Sequence, residues 1–130
     1  MGVGRSRSVT IYGIKNCDTM KKARAWLDAH GVAYAFHDYA KSGITKELLA
    51  RWAADVGWER LCNRAGTTFK KLPEADTRDL TEAKALDLMV SKPSMIKRPV
   101  LSIARGGRER ILVGFTPDAY AEALSPSSDR

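Results

Sequence analysis

The sequence predicts an α/β fold: a four-stranded mixed sheet made of a βαβ half and a ββα half, with a helical insertion between them. Three observations predict it. A short β-rich run, Val9-Thr10-Ile11-Tyr12, is broken by Gly13 and followed at once by a long helical pattern. The stretch from about 45 to 92 reads as helix after helix, with no clear strand signal. Two more β-rich runs then flank Arg105-Gly106-Gly107-Arg108, a short turn that makes them an antiparallel hairpin.

The elements follow in order. Asn16 is a good N-cap, and the helix expected over 17–30 brings Met20, Ala23, Leu27 and His30 to one apolar face. Gly31 ends it as a C′ glycine. Residues Val32 to Tyr39 read as a second strand, parallel to the first through a right-handed crossover. Thr45 caps a helix to about Val56, with Leu48, Leu49, Trp52, Ala53 and Val56 apolar, and Gly57 stops it. Trp58 to Asn63 reads as a short helix carrying Cys62, and Arg64-Ala65-Gly66-Thr67-Thr68-Phe69 as a loop. Thr81 caps a helix to about Val90, with Ala83, Leu86, Leu88 and Met89 apolar, and Pro93 ends it. Val100–Ala104 and Arg110–Val113 are the hairpin strands. Thr116 as N-cap and Pro117 at the first helical position open a last helix to about Leu124. Residues 1–8 and 125–130 read as tails around a single domain over 9–124.

This order is the thioredoxin-like arrangement. It places Cys17 at the first turn of a helix, straight after a strand. Free N–H groups and the positive end of the helix dipole meet there, and both favour a thiolate over a thiol. Lys15, Lys21 and Lys22 add positive charge nearby. Pro99, just before the third strand, stands where such folds often hold a cis proline beside the thiol.

Composition narrows the function classes. The chain has 130 residues, of which 44% are hydrophobic and 28% charged, as in ordinary globular domains. No apolar run approaches the ~20 residues of a membrane span, and the first eight residues lack the apolar core of a secretory signal. Two distant cysteines do not make a disulfide scaffold and fit a reducing cytoplasm. The net charge is +7, but the basic residues are scattered and not interleaved with aromatics, so no nucleic-acid site is singled out. His30 and His37 lack metal-ligand spacing, so no metal is expected. No phosphate-cradling glycine pattern appears, so no nucleotide cofactor is expected.

Three stretches carry a resemblance to a known family: residues 12–19 (Tyr-Gly-Ile-Lys-Asn-Cys-Asp-Thr), residues 64–69, and residues 96–101 (Ile-Lys-Arg-Pro-Val-Leu). Together they resemble the arsenate-reductase (ArsC) family, and within it the YffB-like branch, over about residues 8 to 124. The resemblance implies a thioredoxin-like fold with a helical insertion, and a thiol chemistry linked to glutathione as co-substrate, with glutaredoxin as a partner. It implies Cys17 as nucleophile and Arg98 as one of the arginines that hold an oxyanion. Asn63, followed by Arg64, stands where the family has a second arginine, and Gly114-Phe115 where it has a third. Arg64 and Lys15 are the residues that could help Arg98 hold a substrate or glutathione, with Pro99 presenting backbone beside the sulfur. Asn16 joins the helix start in stabilising the thiolate.

A Cys-x-x-Cys oxidoreductase needs a second thiol where Met20 stands, so Cys17-Asp18-Thr19-Met20 is a monothiol site that turns over with an external thiol. Cys62, in an apolar helical context, reads as a packing residue. The expected activity is therefore a glutathione-dependent monothiol reductase acting on arsenate or on a protein or small-molecule thiol adduct. The alternative is an Spx-like regulatory module that binds RNA polymerase without a Cys-x-x-Cys switch.

Overall fold

The computed structural model describes residues 7–15 and 17–124. The chain forms two compact units, one holding the segments up to His37 and from Arg98 onward, the other holding Asp38–Lys97.

In the first unit, β1 (Arg7–Gly13), β2 (Ala35–Asp38), β3 (Val100–Arg105) and β4 (Arg108–Val113) build a mixed sheet in the order β2-β1-β3-β4. β2 runs one residue past His37 into the second unit. β1 starts two residues earlier than expected at Val9, because Arg7 and Ser8 pair with Arg105 and Ala104 in the antiparallel β1–β3 ladder. Gly106 and Gly107, at φ +56° and +82°, form the two-residue turn between β3 and β4, a geometry that glycine adopts without Cβ strain. Period-2 alternation puts Val9, Ile11, Leu101 and Ile103 on one face of the sheet, and all are buried.

Two helices cover that face. α1 (Asp18–Ala29) contributes Met20, Ala23 and Leu27, and α8 (Pro117–Leu124) contributes Tyr120, Ala123 and Leu124. Each fully buried large aliphatic side chain in this cluster is worth about 1.5–3 kcal/mol. The Ala119 N–H bonds to Thr116 Oγ1 at 3.1 Å, the cap expected for α8, and the Arg7 guanidinium donates to the Leu124 carbonyl at its far end (2.8 Å). His30 does not share the buried face of α1. It is exposed, with Nδ1 2.8 Å from the Trp26 carbonyl and its ring stacked on Trp26 at 3.8 Å. β2 begins three residues later than expected, because Val32 is still engaged in the exit from α1, where its N–H bonds to the Leu27 carbonyl (3.0 Å).

Several cations of this unit have partners within it. Arg24 lies over the Phe36 ring at 4.5 Å and donates to the Tyr34 hydroxyl (3.3 Å), and Arg110 pairs with Glu122.

The second unit holds α2 (Tyr39–Ser42), α3 (Lys46–Val56), α4 (Trp58–Leu61), α5 (Thr67–Lys70), α6 (Glu74–Thr77), α7 (Glu82–Ser91) and a 3-10 turn at Pro93–Met95. Thr45 and Thr81 cap α3 and α7 through the Leu48 and Lys84 N–H groups, as expected. Its core is built from Tyr39, Leu49, Trp52, Leu61, Ala85, Leu86, Met89, Met95 and Ile96. On α7 it is Ala85 that is buried, whereas Ala83 is exposed. α5 replaces the end of the loop expected over 64–69, and α6 lies in a stretch to which the sequence reading assigns no element. Both are single turns, too short to show a period.

The short helix expected to carry Cys62 ends at Leu61. Cys62 forms an isolated antiparallel bridge with Ile96. The Asn63 N–H donates to the Met95 carbonyl and the Lys97 N–H to the Leu61 carbonyl, both at 2.7 Å. These bonds tie residues 61–63 to residues 95–97 and pull Cys62 out of helical geometry.

Candidate active site

β1 ends at Gly13, and the chain enters α1 through Lys15 and Cys17. Asn16 lies outside the described residues. Cys17, with φ −125° and ψ 129°, holds the cap position that the sequence suggested for Asn16, and its carbonyl accepts the first helical bond from the Lys21 N–H (3.0 Å). Among the described residues no side-chain cap bond closes this terminus. The Thr19 and Met20 N–H groups bear instead on the Cys17 sulfur. Negative charge on that sulfur would complete the cap.

The thiol is half-buried, packed against the sheet-and-helix core. Burial by itself raises its pKa. The Met20 N–H, the Arg98 guanidinium as hydrogen-bond donor, the Thr19 N–H and the Arg98 charge together outweigh that effect and hold Cys17 below its ordinary range. Arg98 is distant in sequence and is brought here by the start of β3. The Arg98–Pro99 peptide bond is cis, and the Pro99 carbonyl accepts the Gly114 N–H (2.8 Å). Residues 98–100 are thereby fixed to the end of β4, with Pro99 and Val100 buried.

Among the residues expected at the site, the structure thus brings together Cys17 and Arg98. Lys15 is exposed, two residues ahead of the cysteine. Arg64 belongs to the other unit, where its guanidinium lies 5.8 Å from the centre of the Trp58 ring. Sequence reasoning missed Cys17 as its own cap, and it did not single out the Thr19 and Met20 amides. Placing the cap one residue later, so that the helix opens on Asp18, would have named both. Met20 is buried at 1% exposure. Cys62 is also a free thiol and is buried, and burial raises its pKa against the opposing charges of Arg64 and Lys97. Among the described residues no group of three or more His, Cys, Asp or Glu could hold a metal ion, and no helix is long and apolar enough to cross a membrane.

The ArsC family model matches residues 12–123. The chain belongs to the ArsC family. Like the family, this ArsC protein is a thiol-dependent oxidoreductase with a thioredoxin-like fold. A solved structure named YFFB protein is 63% identical, covers 91% of this chain and 100% of its own, and superimposes with a TM-score of 0.84. The solution structure of an arsenate reductase (ArsC) related protein from Brucella melitensis is 55% identical, covers 91% and 95%, and has a TM-score of 0.68. The global transcriptional regulator Spx of Streptococcus agalactiae is 29% identical over 112 residues, 85% of this ArsC chain and 78% of the regulator.

Proposed function

We propose that this ArsC-family protein is a glutathione-dependent monothiol reductase with Cys17 as nucleophile. The observation that carries the reading is the pairing of a Cys17 thiolate favoured by Arg98 and the α1 amides with a buried methionine where a resolving thiol would stand. In the first step the Cys17 thiolate attacks the glutathione sulfur of a mixed disulfide between glutathione and a second thiol. A Cys17–glutathione disulfide forms and the second thiolate leaves. A second glutathione thiolate then attacks the glutathione sulfur of that adduct, yielding oxidised glutathione and restoring Cys17. Electrons balance: two glutathionyl groups leave as one disulfide, and one substrate thiol is released. Arg98 holds a carboxylate of glutathione or an oxyanion, Lys15 is a further cation for that role, and Pro99 presents its backbone beside the sulfur. Asn16 and the first amides of α1 stabilise the thiolate.

Arsenate is a second substrate of the same thiolate. With Asn63 and Gly114-Phe115 at the other two family arginine positions, its turnover is expected to be slower than that of a glutathione mixed disulfide. The chemistry draws on a reducing glutathione pool, hence the cytoplasm, and glutaredoxin is the partner that would take the place of the second glutathione in attacking the Cys17 adduct.

The test is mass spectrometry after exposure to oxidised glutathione, followed by turnover of a glutathionylated thiol coupled to glutathione reductase. A glutathione adduct on Cys17, with turnover lost in Cys17→Ser and weakened in Arg98→Ala, supports the reading. An adduct on Cys62 alone, or turnover that survives Cys17→Ser, overturns it.

The identity to Spx favours a second reading, a regulatory module that binds RNA polymerase. Capture of RNA polymerase subunits by the purified chain, unaffected by Cys17→Ser, would favour it over the reductase.

A further inference from the structure

We infer that the helical unit carries a binding site for a small anion with a short apolar arm, such as an aryl or alkyl phosphate, beside α5 and the turn that follows α7. A cleft of about 300 Å³ lies there, lined by Thr68, Lys71, Leu72, Pro73 and Lys92. Its volume is at the lower end of small-molecule sites, about 300–1,000 Å³.

Three features give the cleft its chemistry. Two lysines line it, Lys71 and Lys92, and among the described residues neither ammonium has an ion-pair or hydrogen-bond partner. Nearby main-chain acceptors are already engaged. The Thr67, Thr68 and Phe69 carbonyls accept the Lys71 and Leu72 N–H groups, the Leu88 carbonyl accepts the Lys92 N–H, and the Lys92 and Pro93 carbonyls accept the Met95 and Ile96 N–H groups. Neither lysine caps those helix ends, and among the described residues no anion pairs with either.

The second feature is a hydroxyl pair, Thr68 Oγ1 and Ser94 Oγ at 2.8 Å. One hydroxyl donates to the other, so Thr68 can turn a proton toward a ligand when it serves as the acceptor. The third is the half-buried Leu72 beside Pro73, an apolar wall for the ligand's arm. Two cations, a hydroxyl and an apolar wall, with no carboxylate among the described residues that line the cleft, select an anion that is not fully hydrophilic. The site uses no residue of the Cys17–Arg98 pair, so it stands or falls apart from the reductase reading.

The test is an NMR titration of the full chain with phenyl phosphate, inorganic phosphate and benzyl alcohol, in the wild type and in Lys71→Gln/Lys92→Gln. Saturable shifts confined to residues 67–73 and 91–95, tighter for phenyl phosphate than for either other probe, and weakened about tenfold or more in the double variant, are expected. Both lysines are exposed, so the variant should keep the wild-type spectrum elsewhere, which the same experiment reads. Shifts that rise linearly without saturation, equal binding of benzyl alcohol, or affinity unchanged in the variant overturn the proposal.

Discussion

A side chain at position 13 would overlap the sulfur of Met20. The last residue of β1 is a glycine because the Met20 side chain lies across it, with the methionine Cε 2.8 Å from where a Cβ would be. Met20 is in turn fully enclosed by the core cluster. The position that a Cys-x-x-Cys pair would give to a resolving thiol is here part of the packing between strand and helix.

Gly13→Ala should therefore destabilise the protein by about 1–3 kcal/mol through overpacking. The two changes should couple. Measured by urea denaturation, Gly13→Ala should cost less in a Met20→Ala background than in the wild type, with a coupling of about 0.5–3 kcal/mol. Strict additivity would show that the methionine is not the obstacle.

The reactive cysteine should impose a pH dependence on stability. Folding lowers the Cys17 pKa, so between the folded value and the unfolded thiol value of ~8.5 the native state binds fewer protons. Stability should rise with pH through that window and fall as pH drops through the folded value. Cys17→Ser should flatten the profile, and Arg98→Ala should raise the thiol pKa as read by the pH dependence of alkylation. Capping the sulfur with glutathione abolishes its charge, so the adduct should melt below the reduced protein above pH ~8.5, the unfolded thiol value.

Cys62 should behave in the opposite way. It is 2% exposed, and its bridge to Ile96 is closed by main-chain bonds on both sides. In Cys17→Ala, a thiol reagent such as DTNB should react only after the protein opens, and denaturant should restore full reactivity. Fast native-state labelling of that variant would refute the packing role.

Tyr120 carries a cost that one substitution should remove. Its hydroxyl is buried with no hydrogen-bond partner among the described residues, and burial drives its pKa far up. Phe115 and Trp26 meet its ring edge-on at 4.7 and 5.7 Å. Tyr120→Phe keeps those contacts and should be neutral or stabilising by about 1 kcal/mol, whereas Tyr120→Ala should cost about 3–5 kcal/mol, both read by chemical denaturation.

What the sequence made legible follows from where its local signals are strong. Thr45, Thr81 and Thr116-Pro117 announce their helices because the capping oxygen and the helical period agree. Gly106-Gly107 announces the hairpin because only a tight turn needs two positive φ angles in succession. The single turns α5 and α6 had no period to read, and Ala83 and Ala85 on α7 differ only in which neighbour they meet. Cys62 is drawn from helix into bridge by residues 95–97, a tertiary demand that local propensity does not contain. In the candidate site, Cys17 was legible from its place after a strand. Arg98 was named from a resemblance, since nothing local to 96–101 says that its guanidinium reaches a sulfur some eighty positions earlier.

The β1–β3 ladder joins nearly the two ends of the described chain, with Arg7 opposite Arg105 and the whole helical unit emitted between them. A ribosome releases β1 and α1 long before β3 exists. During that interval the edge of β1 that β3 will occupy is bare, and Val9 and Ile11 lack most of the apolar surface that will cover them. The insertion, whose contacts are local, can reach its structure first. Synthesis can therefore pass through a state in which the helical unit is folded and β1, the strand that leads to the thiol, still waits for its partner. Elongation rate across residues 98–113 should govern how much of the chain is captured by chaperones or lost to aggregation.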